Sequence, residues 1–128
     1  NNLSNNVFLY DYTDNIYFYM RNSCAFILSS LWEEVGFVIV EAALCNSFII
    51  SSNCENGPKE FLMNNNAGLL FENNKESELY NKLLKFKKLE KIDNFKKRVL
   101  AKKNSKKFTM FRHYLVLKNI IGEDKKHI

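Results

Sequence analysis

The chain has 128 residues, 46% of them hydrophobic, and a formal net charge of +5. That supports one domain with one core, read here as a single partial domain over 1–128. No run reaches the ~18 apolar residues that a transmembrane helix needs, and no secretory leader is visible.

Residues 7–10 are short and apolar and read as a buried strand, followed by a polar loop at 11–14. Thr13 or Asp14 can cap a helix that runs through Asn22, with Ile16, Tyr19 and Met20 on one face. Residues 25–28 form a second apolar strand, which delivers Ser29 and Ser30 into a loop. Gly36 ends that loop and opens a short buried helix at 37–45. A third strand at 48–51 leads to a Gly-Pro turn, where Pro58 suits the first turn of a brief helix at 59–63. Residues 67–71 make a fourth strand.

From Glu76 the period changes. Leu79, Leu83, Phe86 and Leu89 mark one helical stripe, and Ile92, Phe95 and Val99 another. Met110, Tyr114, Leu117 and Ile121 repeat at helical spacing, and the tail after Gly122 is polar and expected to fray. Strands alternating with helices imply an α/β fold: a Rossmann-like parallel sheet with flanking helices. Ligands of such sheets bind beyond the carboxyl ends of the strands.

Charge is unevenly placed. Residues 1–81 carry three basic and ten acidic side chains, whereas residues 82–107 carry twelve basic and two acidic ones. The basic helices over 90–121 read as a solvated face, or as a contact for an anionic membrane surface. A nucleic-acid partner is not expected, since the run has no recognition motif or stacking platform. Cys24, Cys45 and Cys54 are scattered singly, which points to free thiols in a reducing compartment and no zinc site. Cys45 and Cys54 read as small apolar fillers, and the lone His113 as a surface or core histidine. The abundance of Asn and Lys reads as a coding bias rather than as chemistry.

The stretch SLWEEVGFVIVEAA at 30–43 is the most informative part of the chain. Two carboxylates, Glu33 and Glu41, stand on either side of a glycine that opens a helix. The first turn of that helix has free backbone N–H groups, which attract an anion such as phosphate. As side chains, Phe37 and Val38 read as core and Gly36 as a turn residue; as backbone, the three can donate to phosphate oxygens. The carboxylates can accept hydrogen bonds from sugar or ribose hydroxyls beside that phosphate. Such a site would hold a nucleotide sugar.

Glu33, seven residues and Glu41, with Gly36 between them, resemble the E-G-F-G-x-x-x-x-E-A stretch of the two-domain (GT-B) retaining glycosyltransferases of family 4, also called group 1. Glu34 and Val35 depart from the common form, which has Gly and Phe there. Two further stretches follow at family spacing: IISSNCENGPKE at 49–60 and NAGLLF at 66–71. The resemblance covers residues 7–89 and implies the second half of a GT-B C-terminal, donor-binding domain. It implies that Glu33 contacts the donor sugar and Glu41 the ribose, that Gly36, Phe37 and Val38 hold phosphates, and that Tyr10 lies near the nucleotide base. Gly57, Lys59 and Glu60 belong to the second loop, where Lys59 would offer charge to a diphosphate.

The implied activity is transfer of a hexose, with retention, from a nucleotide diphosphate sugar to a glycan or lipid-linked acceptor. Bacterial surface polysaccharide or lipopolysaccharide synthesis is the implied setting, at the cytoplasmic face of the membrane. No metal or cofactor is implied beyond the donor substrate. Upstream strands, a basic pair and an acceptor domain are expected to be missing, so the 128 residues alone should transfer little or no sugar. Unpaired sheet edges would favour self-association. A glycosidase reading of the two carboxylates is weaker, because a glycosidase needs no anion site at a helix start. The alternative is a truncated non-catalytic remnant, or an interaction module with a basic helical surface.

Overall fold

The computed structural model describes residues 5–34 and 36–124. The elements in chain order are α1 (Ile16–Asn22), β1 (Ala25–Leu28), α2 (Phe37–Leu44), β2 (Phe48–Ser52), α3 (Pro58–Phe61), β3 (Leu69–Phe71), α4 (Glu76–Lys88), α5 (Lys91–Ser105), a 3-10 turn (Lys106–Phe108) and α6 (Met110–Asp124). The three strands form one parallel sheet in the order β1-β2-β3, with Ala25 opposite Phe48 and Ile50 opposite Leu69. This is the Rossmann-like parallel sheet with flanking helices that the alternation of strands and helices implies.

Side chains alternate across a strand, so each strand supplies both faces of the sheet. Ile49 and Leu70 point to one face, where Met20 of α1, Ile39, Val40, Ala42 and Ala43 of α2, Phe61 of α3 and Ala101 of α5 complete the main core. Phe48, Ile50, Leu69 and Phe71 point to the other face, under Leu79, Leu83 and Phe86 of α4 and Leu89 beyond it. The rings of Phe48 and Phe86 stand 4.7 Å apart between centroids. The stripe read from residues 79 to 89 is therefore the face that α4 lays on the sheet. Gly68 lies at the start of β3, where a β carbon would sit 2.6 Å from the carbonyl oxygen of Ile49. Only glycine fits that approach.

Several expectations are corrected. Residues 7–10 form no strand; they are exposed, with Leu9 at 96%. An apolar run becomes a strand only when a neighbour accepts and donates along its ladder, and no strand pairs with this one among the described residues. The cap of α1 is Asn15, whose Oδ1 accepts from Phe18 N at 3.2 Å, rather than Thr13 or Asp14. Asparagine is not mere composition. Asn46, Asn56, Asn64, Asn65 and Asn74 all hold positive φ, a conformation that Asn tolerates better than most residues.

α5 presents a face the stripe does not suggest. Ile92, Phe95 and Val99 face outward and are exposed, Phe95 at 65%. The inward side carries Asn94, Lys97, Arg98, Ala101, Asn104 and Ser105. These polar groups serve carbonyls in turns and at the end of α3. Asn104 Nδ2 donates to Phe61 O at 2.7 Å, Arg98 Nε to Asn46 O at 2.7 Å, and Lys97 Nζ to Asn65 O and Gly68 O. Ala101, fully buried, lets the helix lie close on the core. On α6 likewise, Met110, Tyr114, Leu117 and Ile121 are exposed. That helix runs through Asp124, beyond the point where the polar tail begins.

Candidate functional site

The site is built on two loops that leave the carboxyl ends of β1 and β2. The first loop is tied down from the sheet. Ser52 Oγ, at the end of β2, donates to Ser30 O at 2.6 Å, and Asn73 Nδ2 donates to Leu31 O at 2.8 Å. These bonds fix the chain just before Glu33. Glu33 is half-buried, and its β carbon stands 4.0 Å from where a β carbon on Gly36 would lie. Gly36 is left-handed, at φ 66° and ψ 43°, and its carbonyl accepts from Ile39 N at 3.0 Å. Helix geometry leaves the amides of Phe37 and Val38 without an acceptor inside α2, so both can serve an anion.

α2 sorts its residues by angle. Ile39, Val40, Ala42 and Ala43 are buried, while Phe37, Glu41 and Leu44, at i, i+4 and i+7, share the outer face. Phe37 is 56% exposed, so its side chain is not the core residue that its apolar character suggests; Val38 does pack on the core. The first position of a helix projects past the layer that the later turns cover. Phe37 and Glu41 thus lie on the same side of α2. Glu41 is half-buried, and its Oε1 accepts a hydrogen bond from the phenol of Tyr17 on α1 at 3.2 Å. That bond, and then the carboxylate's charge, push the phenol's pKa up from 10.0. Tyr10 is exposed and its ring lies 5.6 Å from that of Tyr19 on α1, between centroids.

The second loop follows β2. Asn53 N donates to Phe71 O at 2.7 Å, and Asn56 and Gly57 both take positive φ, Gly57 at 137°. Gly57 opens α3 with Pro58 at its first turn, which leaves Lys59 and Glu60 exposed. A cavity of about 340 Å³ is lined by Glu34, Asn56, Gly57, Glu60 and, from the end of α5 and the 3-10 turn after it, Asn104 and Lys107. A second, of about 680 Å³, shares Asn56, Gly57 and Glu60 with it and adds Lys59 and Asn64. The structure thus brings Gly57, Lys59 and Glu60 together at the carboxyl end of the sheet. Glu34, not Glu33, is the first-loop carboxylate on the wall of the smaller cavity.

Three participants escape a reading of the sequence. Tyr17 reaches Glu41 over 24 residues, and Lys107 lies in a run of lysines without distinguishing spacing. Glu34 differs from Glu33 only in the direction the loop gives it. Among the described residues no group of three or more His, Cys, Asp or Glu side chains is placed to hold a metal ion. No helix there is long and apolar enough to cross a membrane. Cys24, Cys45 and Cys54 are free thiols.

The glycosyl transferases group 1 family matches residues 1–108, which is most of the chain. The chain belongs to that family. An uncharacterized glycosyltransferase of Methanocaldococcus jannaschii is 39% identical over 61 residues, covering 48% of this chain and 15% of that protein. Among solved structures, TarM superposes with a TM-score of 0.75 at 24% identity, over 92% of this chain and 24% of TarM. A glycosyltransferase from Rickettsia africae ESF-5 gives 0.67 at 23% identity, over 84% of this chain and 29% of the other. A sucrose-phosphate synthase of Thermosynechococcus elongatus gives 0.68 at 15% identity, over 83% and 26%. These neighbours share the fold, that of part of a GT-B glycosyltransferase. The chain spans 15% of the length of the curated relative and about a quarter of those structures.

Proposed function

We propose that this group 1 chain is the later part of the donor domain of a glycosyltransferase, and that it binds a nucleotide diphosphate sugar at the start of α2. The observation that carries the reading is the arrangement around Gly36. A left-handed glycine opens α2, two amides there are free of helical partners, and Glu41 lies half-buried one turn further on. The amides of Phe37 and Val38 would hold the diphosphate, whose negative charge grows as the sugar leaves. Glu41 would accept from the ribose hydroxyls and Glu33 from the sugar. Lys59 and Lys107, which line the cavities of the neighbouring loop, would offer charge to the leaving group. Tyr10 would lie toward the base.

The transfer would move a hexose with retention of configuration to a glycan or lipid-linked acceptor, in the making of a surface polysaccharide at the inner face of a membrane. The acceptor would be held outside these residues.

Titration calorimetry of the chain against a panel of nucleotide diphosphate sugars tests the reading. One or more should bind, and Glu41→Gln should weaken that donor about 10- to 100-fold, the equivalent of one charge-assisted hydrogen-bond set. Unchanged affinity in the variant removes Glu41 from the site. Absence of binding by every donor removes the reading for this chain in favour of a non-catalytic remnant.

A further inference from the structure

We propose that the outward face of α5 is a docking surface for an anionic lipid bilayer. At 100° per residue, Ile92, Phe95 and Val99 form one apolar stripe on the side away from the core. Lys91 and Lys102 flank the stripe on one side, and Lys96 and Lys103 on the other. All seven side chains are exposed. The inward side of the same helix is occupied by its bonds to Phe61, Asn65, Gly68 and Asn46, so the helix cannot turn the stripe inward without breaking them.

An apolar stripe between two rows of lysines is the pattern of a helix lying in the plane of a membrane interface. The apolar tips enter the acyl boundary, and the lysine stems lie along it with their ammonium groups at the headgroups. Asp93 is the acidic side chain of α5; it sits beyond Lys96, with its carboxylate 3.9 Å from that ammonium group. The stripe continues into a cavity of about 550 Å³ lined by Phe86, Leu89, Phe95, Lys87, Lys91 and Arg98, which joins apolar floor and cationic groups in the same way. That cavity also touches Cys24, just before β1, and so opens at the end of the sheet away from the donor loops.

Charge decides between occupants. Residues 82–107 carry twelve basic and two acidic side chains, so a second copy of this face would meet like charge. A nucleic-acid backbone would find apolar side chains at the centre of the contact, where phosphates need cations. A surface of anionic headgroups over hydrocarbon satisfies both parts. The acidic residues 1–81 would be repelled from such a surface, which turns the donor loops toward water. The inference deepens the membrane-side placement proposed above and names the face that makes the contact.

Vesicle co-sedimentation of the full chain without nucleotide tests it, so its result is independent of donor binding. The chain should pellet with vesicles of phosphatidylcholine and phosphatidylglycerol, not with phosphatidylcholine alone, and high salt should release it. Replacing Lys91, Lys96, Lys102 and Lys103 by Gln should lower partitioning by about 100-fold or more. Ile92→Ser with Phe95→Ser and Val99→Ser should lower it about tenfold or more at unchanged charge. Circular dichroism checks that both variants keep their helices. Failure to bind anionic vesicles, equal binding to neutral ones, or apolar variants that bind like the wild type would each overturn the proposal. A vesicle-independent dimer abolished by the serine variants would overturn it too, in favour of a contact between copies.

Discussion

The phenol of Tyr17 donates to Oε1 of Glu41 at 3.2 Å, joining the short helix α1 to the carboxylate proposed to hold the donor's ribose. α1 has seven residues, too few to be stable alone, and is held by its Asn15 cap, by Met20 in the core and by this bond. Any ribose at Glu41 must share the carboxylate with Tyr17 or displace it. The pair has a pH signature. The bond to Glu41, then the carboxylate's charge, raises the Tyr17 pKa above 10.0. The native state therefore keeps this proton to higher pH than the unfolded chain, and the contribution of the pair to stability is lost as pH rises above 10.0. In a carbon-13 titration of the tyrosine rings, the resonance missing from Tyr17→Phe should titrate late, and Glu41→Gln should return it toward 10.0. An unmoved resonance would mean that the pair does not persist in solution.

Gly68→Ala should be among the most damaging single methyl additions to this chain. The new β carbon would meet Ile49 O at 2.6 Å and Leu62 Cδ2 at 2.9 Å, and the first of these is backbone. The cost should be about 3 kcal/mol, at the upper end for overpacking, or ~10 °C in Tm. A thermal melt within 2 °C (roughly half a kcal/mol) of wild type would show that β3 can shift freely.

Asn104→Ala should cost about 1–3 kcal/mol, because it leaves the buried Phe61 carbonyl without its donor. Asn104→Asp should be worse at neutral pH, since a carboxylate would face that carbonyl. Its native pKa must then lie above the unfolded value, so this variant should gain stability as pH falls through the native pKa. Denaturant unfolding at several pH values distinguishes the two. Equal losses at all pH values would place Asn104 in a packing role only.

Lys97 carries the opposite sign. Its ammonium group is partly buried under Asn65 and Gly68, and burial lowers its pKa from 10.5. Between the lowered native value and 10.5 the unfolded chain binds more protons, so stability attributable to Lys97 rises with pH in that window. The difference in unfolding free energy between wild type and Lys97→Met should increase toward pH 10.5. A flat difference would show the ammonium group to be fully hydrated.

Much of the region around the candidate site was legible because its signals are local. A glycine between a loop and an apolar run specifies a helix start, and Gly36 opens α2 as read. The strands at β1, β2 and β3 are short apolar runs bounded by turn residues, and the α4 stripe has the period of one buried helix face. Less legible was the difference between Glu33 and Glu34. Both are loop carboxylates, and only the path of the chain from Ser30 to Glu34, tied at Ser30 and Leu31 by Ser52 and Asn73, sets one of them on the cavity wall.

Sequence alone determined the element order from α1 onward, the alternation of strands and helices and the position of the glycine-opened helix, because each depends on the residues within a turn or two. Tertiary structure decided the rest. Residues 7–10 needed a ladder neighbour to become a strand, and in the described structure none pairs with them. On α5 the apolar stripe would have gone inward had burial of side-chain area been the whole account. Carbonyls left open at Asn46, Phe61, Asn65 and Gly68 took the polar side instead, and those carbonyls lie 29 to 52 residues away in the chain. The buried Phe61 carbonyl, left unpaired, would cost as much as an exposed apolar side chain forgoes, so the face of this helix is settled by what it meets and not by its own pattern.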